Sequence, residues 1–248
     1  MSKRNLECEN LKVILRRQLN RLKVNCVDEK IETLLGYMNG VLLWNDKVNL
    51  TNILNENDFV KKHYIDSLSI CSENEFLEAE HIIDVGTGGG FPGIPLAICY
   101  PEKKFTLLDS LKKRLKIVDE LCMKLEIKNV KTVHNRAEDL GRDAMYREQF
   151  DLCVSRAVAN LTSLSELCLP LIKIKGYFIS YKGPAFEKEL QQSEKAVAML
   201  GGRVKRIVET KNSETAHKLI IIEKIENTNS IYPRKSGIPV KKPLVQNM

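Results

Sequence analysis

From residue 81 onward, the chain alternates short β-branched segments with helical patterns, and this alternation restricts its fold more than any other feature. The helical periodicity is clearest where Leu115, Val118 and Cys122 form one stripe. An alternation of strand and helix is typical of a parallel sheet that helices cover on both faces. The expected strands span 81–86, 104–109, 130–134, 150–155, 176–181, 203–209 and 217–224.

The last two expected strands should pair differently from the others. Only a short polar segment separates them, which is too short for a helical crossover, so an antiparallel hairpin is expected. The sequence therefore predicts an α/β fold with a mostly parallel seven-stranded sheet and an antiparallel last strand.

Two segments flank the expected sheet. Before it, residues 28–44 have the pattern of an amphipathic helix, and a basic helical stretch with Leu11, Leu15 and Leu19 on one stripe precedes them. After it, prolines and Gly237 favour a tail that is neither helix nor central strand. We predict a helical extension at 1–75, a Rossmann-like domain at 76–226 and a basic tail at 227–248.

The net charge of +7 is concentrated at the two ends of the chain. Residues 1–25 carry seven basic and two acidic side chains, and residues 231–248 carry four basic and no acidic ones. Basic segments outside a core favour a polyanionic partner such as RNA. Because prolines limit regular structure, we expect a tail extended enough to follow a nucleic-acid backbone, with Arg234 and Lys235 as candidate RNA contacts.

The seven cysteines argue against a zinc or redox site. The closest two, Cys153 and Cys168, are 15 residues apart, so there is no C-x-x-C pair. Buried free thiols in a reducing cytosol are expected instead. No apolar run has the length of a membrane span, and the first residues lack a signal-peptide core. We therefore expect a cytoplasmic monomer with no metal ion and no membrane contact.

A glycine-rich loop after the first expected strand is the strongest functional signal. Glycine permits positive φ and lets a ligand approach the backbone closely. In Rossmann-type sheets such a loop binds a nucleotide beyond the carboxyl ends of the strands. Asp109 ends the next strand, 19 residues after Gly90, where its carboxylate can accept hydrogen bonds from both hydroxyls of an adenosine ribose.

Two nucleotide ligands are compatible with this loop. The spacing Gly88-x-Gly90-x-x-Gly93 also satisfies the dinucleotide fingerprint, so NAD is an alternative, as is a turn with no ligand. Asp84 favours S-adenosylmethionine, because a carboxylate repels a pyrophosphate and attracts the ammonium of a methionine moiety. Its string with the glycines and Asp109 is the usual pattern of class I methyltransferases. The predicted site for S-adenosylmethionine includes Asp84, Gly86, Gly88, Gly90 and Asp109.

The end of the fourth expected strand, residues 154–159, narrows the choice of methylated atom. It has no Asp-Pro-Pro-Tyr or Asn-Pro-Pro-Tyr, expected for an exocyclic amine, and no Pro-Cys nucleophile of the kind used on pyrimidine carbon. The ring nitrogen at position 7 of guanine requires neither, because its lone pair is free and lies on an exposed edge. The protein then has to align donor and acceptor and exclude water.

From Trp44 to Leu244, the chain resembles the RsmG (GidB) family of 16S rRNA guanine methyltransferases. The matching strings are Trp44-Asn45, Asn49-Leu50-Thr51, His63-x-x-Asp66-Ser67-Leu68, Asp84 through Pro95, Leu108-Asp109-Ser110, Lys113-Arg114, Arg136-Ala137-Glu138, Ser155 through Ala159, Lys182-Gly183 and Tyr232-Pro233-Arg234-Lys235-x-Gly237-x-Pro239. The resemblance implies a class I fold with a helical extension. It also implies methyl transfer to position 7 of a guanosine in the 530-loop of bacterial 16S rRNA, on the RNA or the small ribosomal subunit.

The same resemblance implies roles for individual residues. Arg156 is implied to lie beside the methionine end of the cofactor and the acceptor, as the catalytic residue. The other implied positions are Gly86 and Phe91 along the cofactor, Asp109 at the ribose, and Ala137 and Glu138 around the adenine. One departure is Gly89, where the family often has alanine.

Several candidate residues also have a purely structural interpretation. Arg156 could be a surface arginine at a strand end. His63 and Asp66 lie one helical turn apart, so His63 is either a substrate-side residue that contacts RNA or half of a packing pair. Trp44 suits a core better than a base-stacking surface. His217 has no metal-ligand spacing and is interpreted as structural.

Three other functions remain open from the sequence. The first is an S-adenosylmethionine-dependent methyltransferase that acts on another RNA, a protein or a small molecule. The second is an NAD-dependent oxidoreductase, although no Tyr-x-x-x-Lys signature is present. The third is a non-catalytic RNA-binding module, which the intact Asp84, Asp109 and Arg156 disfavour.

Overall fold

The seven expected strands form one sheet in the computed structural model, which describes residues 3–25, 27–184, 186–210 and 217–244, with side chains from residue 9 onward. The strands are β1 His81–Val85, β2 Lys104–Asp109, β3 Val130–His134, β4 Phe150–Arg156, β5 Ile172–Lys182, β6 Gly202–Glu209 and β7 Lys218–Lys224. Their order is β3-β2-β1-β4-β5-β7-β6. β7 is antiparallel to β5 and β6, and the other pairs are parallel. The predicted mixed sheet is confirmed, and segment 211–216 lies outside the described residues.

β5 begins at Ile172, earlier than the expected strand, which began at Gly176. Ile172 pairs with Phe150 on β4, and the register then shifts. The three residues that follow, 173–175, are exposed, and Lys175 has a φ of 70°. An irregular start of the strand that faces solvent has no hydrophobic alternation, so the sequence pattern did not reveal it.

Helices lie before the sheet and between its strands. In the extension, helix α2 (Asp28–Asn45) begins at Asp28 as expected, and it buries the face that carries Ile31, Leu34 and Met38. A π-helix at Val60–Ile65 directly follows helix α3 (Glu56–Phe59), and 3-10 turns lie at Leu68–Ile70 and Leu169–Leu171. The α-helices are α1 Lys3–Arg21, α2 Asp28–Asn45, α3 Glu56–Phe59, α4 Asn74–Leu77, α5 Gly93–Cys99, α6 Lys112–Lys124, α7 Ala137–Leu140, α8 Leu161–Cys168, α9 Glu187–Met199 and α10 Ile238–Lys241.

The sheet separates two hydrophobic cores, because successive strand residues face opposite sides. On one side, Ile82 and its neighbours pack with residues of α1, α2, α5 and α6, including Leu15 and Leu34. On the other side, Ile83 and its neighbours pack with residues of α7, α8, α9 and the tail, including Tyr232. The N-terminal extension thus shares a core with the sheet, and the boundaries at residues 75 and 226 stay a prediction.

The tail does not have the expected extended shape. It contains α10, and Tyr232 and Pro239 are buried. Arg142 Nε donates to the Pro233 carbonyl oxygen at 2.7 Å, and an Arg147 guanidinium nitrogen donates to that of Tyr232 at 2.8 Å. The prediction of an extended tail is wrong, because arginines of the folded domain bind the backbone carbonyls that proline leaves available.

Five described cysteines are buried: Cys71, Cys99, Cys122, Cys153 and Cys168. Cys71, Cys122, Cys153 and Cys168 are free thiols, as expected. The side chains of Cys8 and Cys26 lie outside the described residues. Burial raises the pKa of Cys122 to about 12, so this thiol stays protonated. Within the described ranges, no helix has both the length and the hydropathy needed to cross a bilayer.

Candidate cofactor and acceptor site

Glycines shape the loop between β1 and α5. Gly86 has a φ of 76° and Gly90 a φ of 92°. A Cβ on Gly86 would lie 2.4 Å from Val158 Cγ2, and one on Gly90 would lie 2.4 Å from the Tyr37 hydroxyl oxygen. That hydroxyl, from α2, donates to the Gly89 carbonyl oxygen at 2.9 Å. The loop therefore has a narrowly defined path, which the N-terminal extension helps to hold.

Asp84 lies at the base of this loop and is completely buried. Its Oδ2 accepts hydrogen bonds from Thr87 Oγ1 at 2.7 Å and from the Gly93 amide at 2.9 Å. Its Oδ1 is buried and has no hydrogen-bond partner in the described part of the chain. Burial raises the pKa of Asp84 to about 6. A buried carboxylate oxygen without a donor suits a cationic ligand group, such as the ammonium of a methionine moiety.

Asp109, at the end of β2, faces the same loop. Its Oδ2 accepts from the Gly88 amide at 2.8 Å, and its Oδ1 accepts from the Leu111 amide at 2.8 Å. Each carboxylate oxygen has two lone pairs, so both oxygens can accept one more hydrogen bond. The side chain is nearly buried. This geometry suits the ribose hydroxyls of an adenosine.

Ala137 and Glu138 begin α7, directly after β3, and β3 lies beside β2 in the sheet. Glu138 is buried, and its Oε1 accepts a hydrogen bond from the Gly237 amide at 2.7 Å. These residues therefore lie on the side of the loop where Asp109 stands and where the adenine is expected. The sequence had no signal for the contact with the tail.

Arg156 ends β4, and its side chain is only 13% exposed. The guanidinium donates to Asp66 Oδ2 at 2.7 Å, to the Lys62 carbonyl oxygen at 2.8 Å and to His63 Nδ1 at 2.8 Å. Its Cζ lies 5.8 Å from the centre of the Phe91 ring. The interpretation of Arg156 as a surface arginine is therefore wrong.

The π-helix brings His63 to Arg156. The His63 ring stacks on Phe91 with a centroid distance of 4.2 Å and an interplanar angle of 10°. Burial, with the nearby charge of Arg156, lowers the pKa of His63 to about 3, so the ring is neutral. Because Nδ1 accepts from Arg156, we assign the ring proton to Nε2, which lies 2.7 Å from Thr51 Oγ1. His63 and Asp66 are thus not simply a packing pair, since both bind Arg156.

Asp66 is completely buried between Arg156 and His217. Burial opposes its ionisation, but the hydrogen bonds and charges of His217 and Arg156 outweigh burial and hold the pKa of Asp66 below its ordinary value. His217 therefore belongs to this site, a role that was not predicted from the sequence. A usable signal was its position at the start of an antiparallel strand, which begins at the edge where parallel strands end. We call Thr51, His63, Asp66, Arg156 and His217 the arginine cluster.

Arg234 and Lys235 lie outside the arginine cluster. The Arg234 guanidinium binds both carboxylate oxygens of the completely buried Glu166, at 2.7 to 3.2 Å, and donates to the Lys242 carbonyl oxygen at 2.8 Å. Arg234 thus has a buried partner inside the protein, which the sequence did not indicate. Lys235 is exposed, as an RNA contact requires.

Trp44 packs at the edge of the first core, and the Lys47 ammonium lies 5.0 Å from its ring centre. This position supports the core interpretation of Trp44. Among the residues that the structure describes, no group of three or more histidines, cysteines and carboxylates is arranged to hold a metal ion.

Known proteins similar to this chain share most of its length. Residues 30–220 match the GidB family, described as rRNA small subunit methyltransferase G. A protein named ribosomal RNA small subunit methyltransferase G from Clostridium novyi (strain NT) is 48% identical over 220 residues, which cover 88% of this chain and 90% of that protein. One of the same name from Alkaliphilus metalliredigens (strain QYMF) is 46% identical over 239 residues, which cover 94% and 98%.

Solved structures agree with the fold. The mitomycin 7-O-methyltransferase MmcR has a TM-score of 0.51 at 12% identity, over 65% of this chain and 53% of that one. A structure described as StiE O-MT has a TM-score of 0.51 at 12% identity, over 66% and 74%. At such low identity this likeness concerns the class I methyltransferase fold alone. The match over residues 30–220, with relatives nearly half identical along their length, shows that the chain belongs to the rRNA small subunit methyltransferase G (GidB) family.

Proposed function

We propose that this protein transfers the methyl group of S-adenosylmethionine to the position-7 nitrogen of a guanosine in the 530-loop of bacterial 16S rRNA. The observation that carries the proposal is the loop from Gly86 to Phe91, which joins two sites. Asp84 and Asp109 contact its glycine end, while His63 and Arg156 lie on the ring of Phe91. Family membership supports methyl transfer as the reaction and small-subunit rRNA as the substrate class.

The residues in and around the loop suit the different parts of the cofactor. S-adenosylmethionine supplies an electrophilic methyl group on a sulfonium. Asp109 would hold the ribose, Ala137 and Glu138 the adenine, and the free Oδ1 of Asp84 the ammonium. Gly86, Gly88, Gly90 and Phe91 would line the path between them. NAD fits less well, because the pyrophosphate would face the carboxylate of Asp84.

The arginine cluster suits an acceptor that needs no general base. His63 is neutral, and both ring nitrogens already have partners, so it is not available to remove a proton. The lone pair at position 7 of guanine carries no proton to remove. The role left for Arg156 is to orient cofactor and base and, with Phe91 and His63, to exclude water.

The RNA-binding surface should include exposed cations at the edge of the sheet that carries the arginine cluster. Arg21, the last residue of α1, and Lys23 border a cavity of about 410 Å³ with Val208 and Thr210, which lie where β6 ends. Lys235 adds an exposed positive charge in the tail. His63, whose ring stacks on Phe91, would contact RNA on the acceptor side of the site. Lys3 and Arg4 in the basic N-terminal segment have side chains outside the described residues. We further propose that the protein acts as a cytoplasmic monomer.

The test is to incubate purified protein with radiolabelled S-adenosylmethionine and, separately, small ribosomal subunits, protein-free 16S rRNA, and bulk protein from the same cells. Label should enter 16S rRNA, and borohydride reduction with aniline cleavage should map it to a single guanosine in the 530-loop. Label in another RNA, in protein or in small molecules alone would replace this proposal with the broader methyltransferase alternative. The choice between free RNA and subunit follows from which substrate is methylated faster.

A further inference from the structure

The tail segment 228–242, which we call the strap, is bonded to the first turn of α7. The Gly237 amide donates to Glu138 Oε1 at 2.7 Å, and Ser236 Oγ donates to Asp139 Oδ2 at 3.0 Å. Gly237 has a φ of 82°, in the left-handed region that favours glycine. The strap therefore contacts the residues expected around the adenine.

The strap also binds the loop that follows α7. Arg142 Nε donates to the Pro233 carbonyl oxygen at 2.7 Å. Arg147 donates to the carbonyl oxygens of Thr228 and Tyr232, at 2.5 and 2.8 Å, and to that of Gly141 at 2.8 Å. Segment 137–147 and the strap are therefore joined along their length.

A second set of bonds ties the strap to α8, which follows β4. Arg234 pairs with the buried Glu166, and Ser163 Oγ donates to the Pro239 carbonyl oxygen at 2.8 Å. The strap thus connects the helix after β3 with the helix after β4. Arg234 is therefore bound inside the protein, and an RNA partner is not required to explain this arginine.

The helix α7 depends on such support because it is a single turn, Ala137–Leu140. One turn of helix has few internal hydrogen bonds for the residues that it orders, so tertiary contacts must hold it. The strap provides such contacts to Glu138 and Asp139. The position of Ala137 and Glu138 is therefore set partly by residues about a hundred positions later in the chain.

We propose that the strap supports α7 from behind the adenine pocket and that its contact with Glu138 sets the affinity and selectivity for adenine. This inference rests on the proposed function, because it takes Ala137 and Glu138 as the adenine-binding residues. Gly237, Ser236 and Arg142 are then positioning residues. They act on the cofactor through α7 and do not contact it.

The test uses Gly237→Ala in the full-length protein. A Cβ at this position meets no atom within 4 Å, so the substitution acts through φ alone, which alanine adopts at a cost. The matched control is Val240→Ala, an exposed residue of the strap. Calorimetry would measure binding of S-adenosylhomocysteine and of its inosine analogue, and filter binding would measure affinity for 16S rRNA.

We expect Gly237→Ala to weaken S-adenosylhomocysteine binding at least about fivefold, since part of a hydrogen bond to a carboxylate is lost. It should also narrow the preference for adenine over hypoxanthine and leave RNA affinity unchanged. Val240→Ala should bind both cofactor analogues and the RNA normally. Unchanged cofactor binding in Gly237→Ala would overturn the proposal, whether or not RNA binding falls. If the wild-type protein did not bind S-adenosylhomocysteine, the proposed function itself would fail.

Hydrogen exchange of the wild-type protein tests the coupling between the strap and α7 without a substitution that could impair folding. If the strap supports the pocket, S-adenosylhomocysteine should slow amide exchange in the strap as well as in segment 137–147. Protection of 137–147 with no change in the strap would overturn the coupling.

Discussion

The cofactor half and the acceptor half of the site are built in different ways. The cofactor half uses Asp84, the glycine loop and Asp109, which lie within about thirty residues on two adjacent parallel strands. The acceptor half joins four separate segments, with 93 positions between His63 and Arg156 and 151 between Asp66 and His217. The first half is therefore recognisable as a local motif. The second half exists only when the N-terminal extension lies against the end of β4 and β7 has joined the sheet beside β5.

The largest expected effect is in the acceptor half. Arg156→Ala should lower the methylation rate about a hundredfold, because alignment of donor and acceptor is lost. It should also lower the melting temperature, because Asp66 stays buried with one partner fewer. Single-turnover rates and thermal melts would measure both effects.

Arg203→Ala is the matched control for Arg156→Ala, since it removes an exposed arginine at the opposite edge of the sheet. It should methylate at the wild-type rate. Adding Asp66→Ala to Arg156→Ala should cost little further activity if the two residues act as a unit. Full methylation by a folded Arg156→Ala variant would show that the acceptor half is not required for the reaction.

The next effect is in the cofactor half. Asp109→Ala should weaken S-adenosylhomocysteine binding at least tenfold, since a hydrogen bond to a charged group contributes about 1.5–3 kcal/mol. The Gly88 amide would lose its acceptor as well. Calorimetry would measure the dissociation constant, with exposed Lys104→Ala at the other end of β2 as control. Equal affinity in both variants would remove Asp109 from the cofactor site.

A smaller expected effect is the pH dependence of cofactor affinity, which distinguishes the cofactor half from the acceptor half. Asp84 has its pKa raised to about 6 by burial, so the carboxyl becomes neutral below that pH and no longer attracts an ammonium. S-adenosylhomocysteine affinity should therefore fall as the pH is lowered through about 6, and Asp84→Asn should show no such change. Between pH 6 and the ordinary value near 4, the same group should make the unliganded protein more stable as the pH falls, because the folded state binds the proton more tightly.

Calorimetry from pH 5 to 8 would test the role of Asp84. His63, with a pKa near 3, does not titrate in this range. A pH-independent affinity in the wild-type protein would argue that the ammonium binds elsewhere.

The smallest effect concerns RNA and the exposed tail lysines. Lys235, Lys241 and Lys242 together changed to alanine should reduce the log–log salt slope of rRNA binding by about 0.7–0.9 for each phosphate that the protein no longer binds. Arg234 is left out, because its charge is bound by Glu166. Changing the exposed Lys104, Lys124 and Lys128 instead should leave the slope unchanged. Equal slopes for the two variants would place the RNA surface elsewhere.

The sequence by itself determined the sheet, the loop and the acids at its strand ends. β2 and β3 were predicted to the residue, because their β-branched and apolar residues are a local property of the sequence. Positive φ at Gly86 and Gly90 is equally local, because only glycine adopts it freely. The start of β5 at Ile172 was missed because its exposed lysines carry no alternation.

Only the tertiary structure decided the partners of buried charges. Nothing near His217 in the sequence indicates Asp66, nothing near Arg234 indicates Glu166, and Gly237 gives no sign of Glu138. A carboxylate that loses water must find donors wherever the fold brings them, and these donors came from segments far away in the chain. Desolvation depends on what the completed fold covers, so these pairings follow from packing and not from any local pattern of residues.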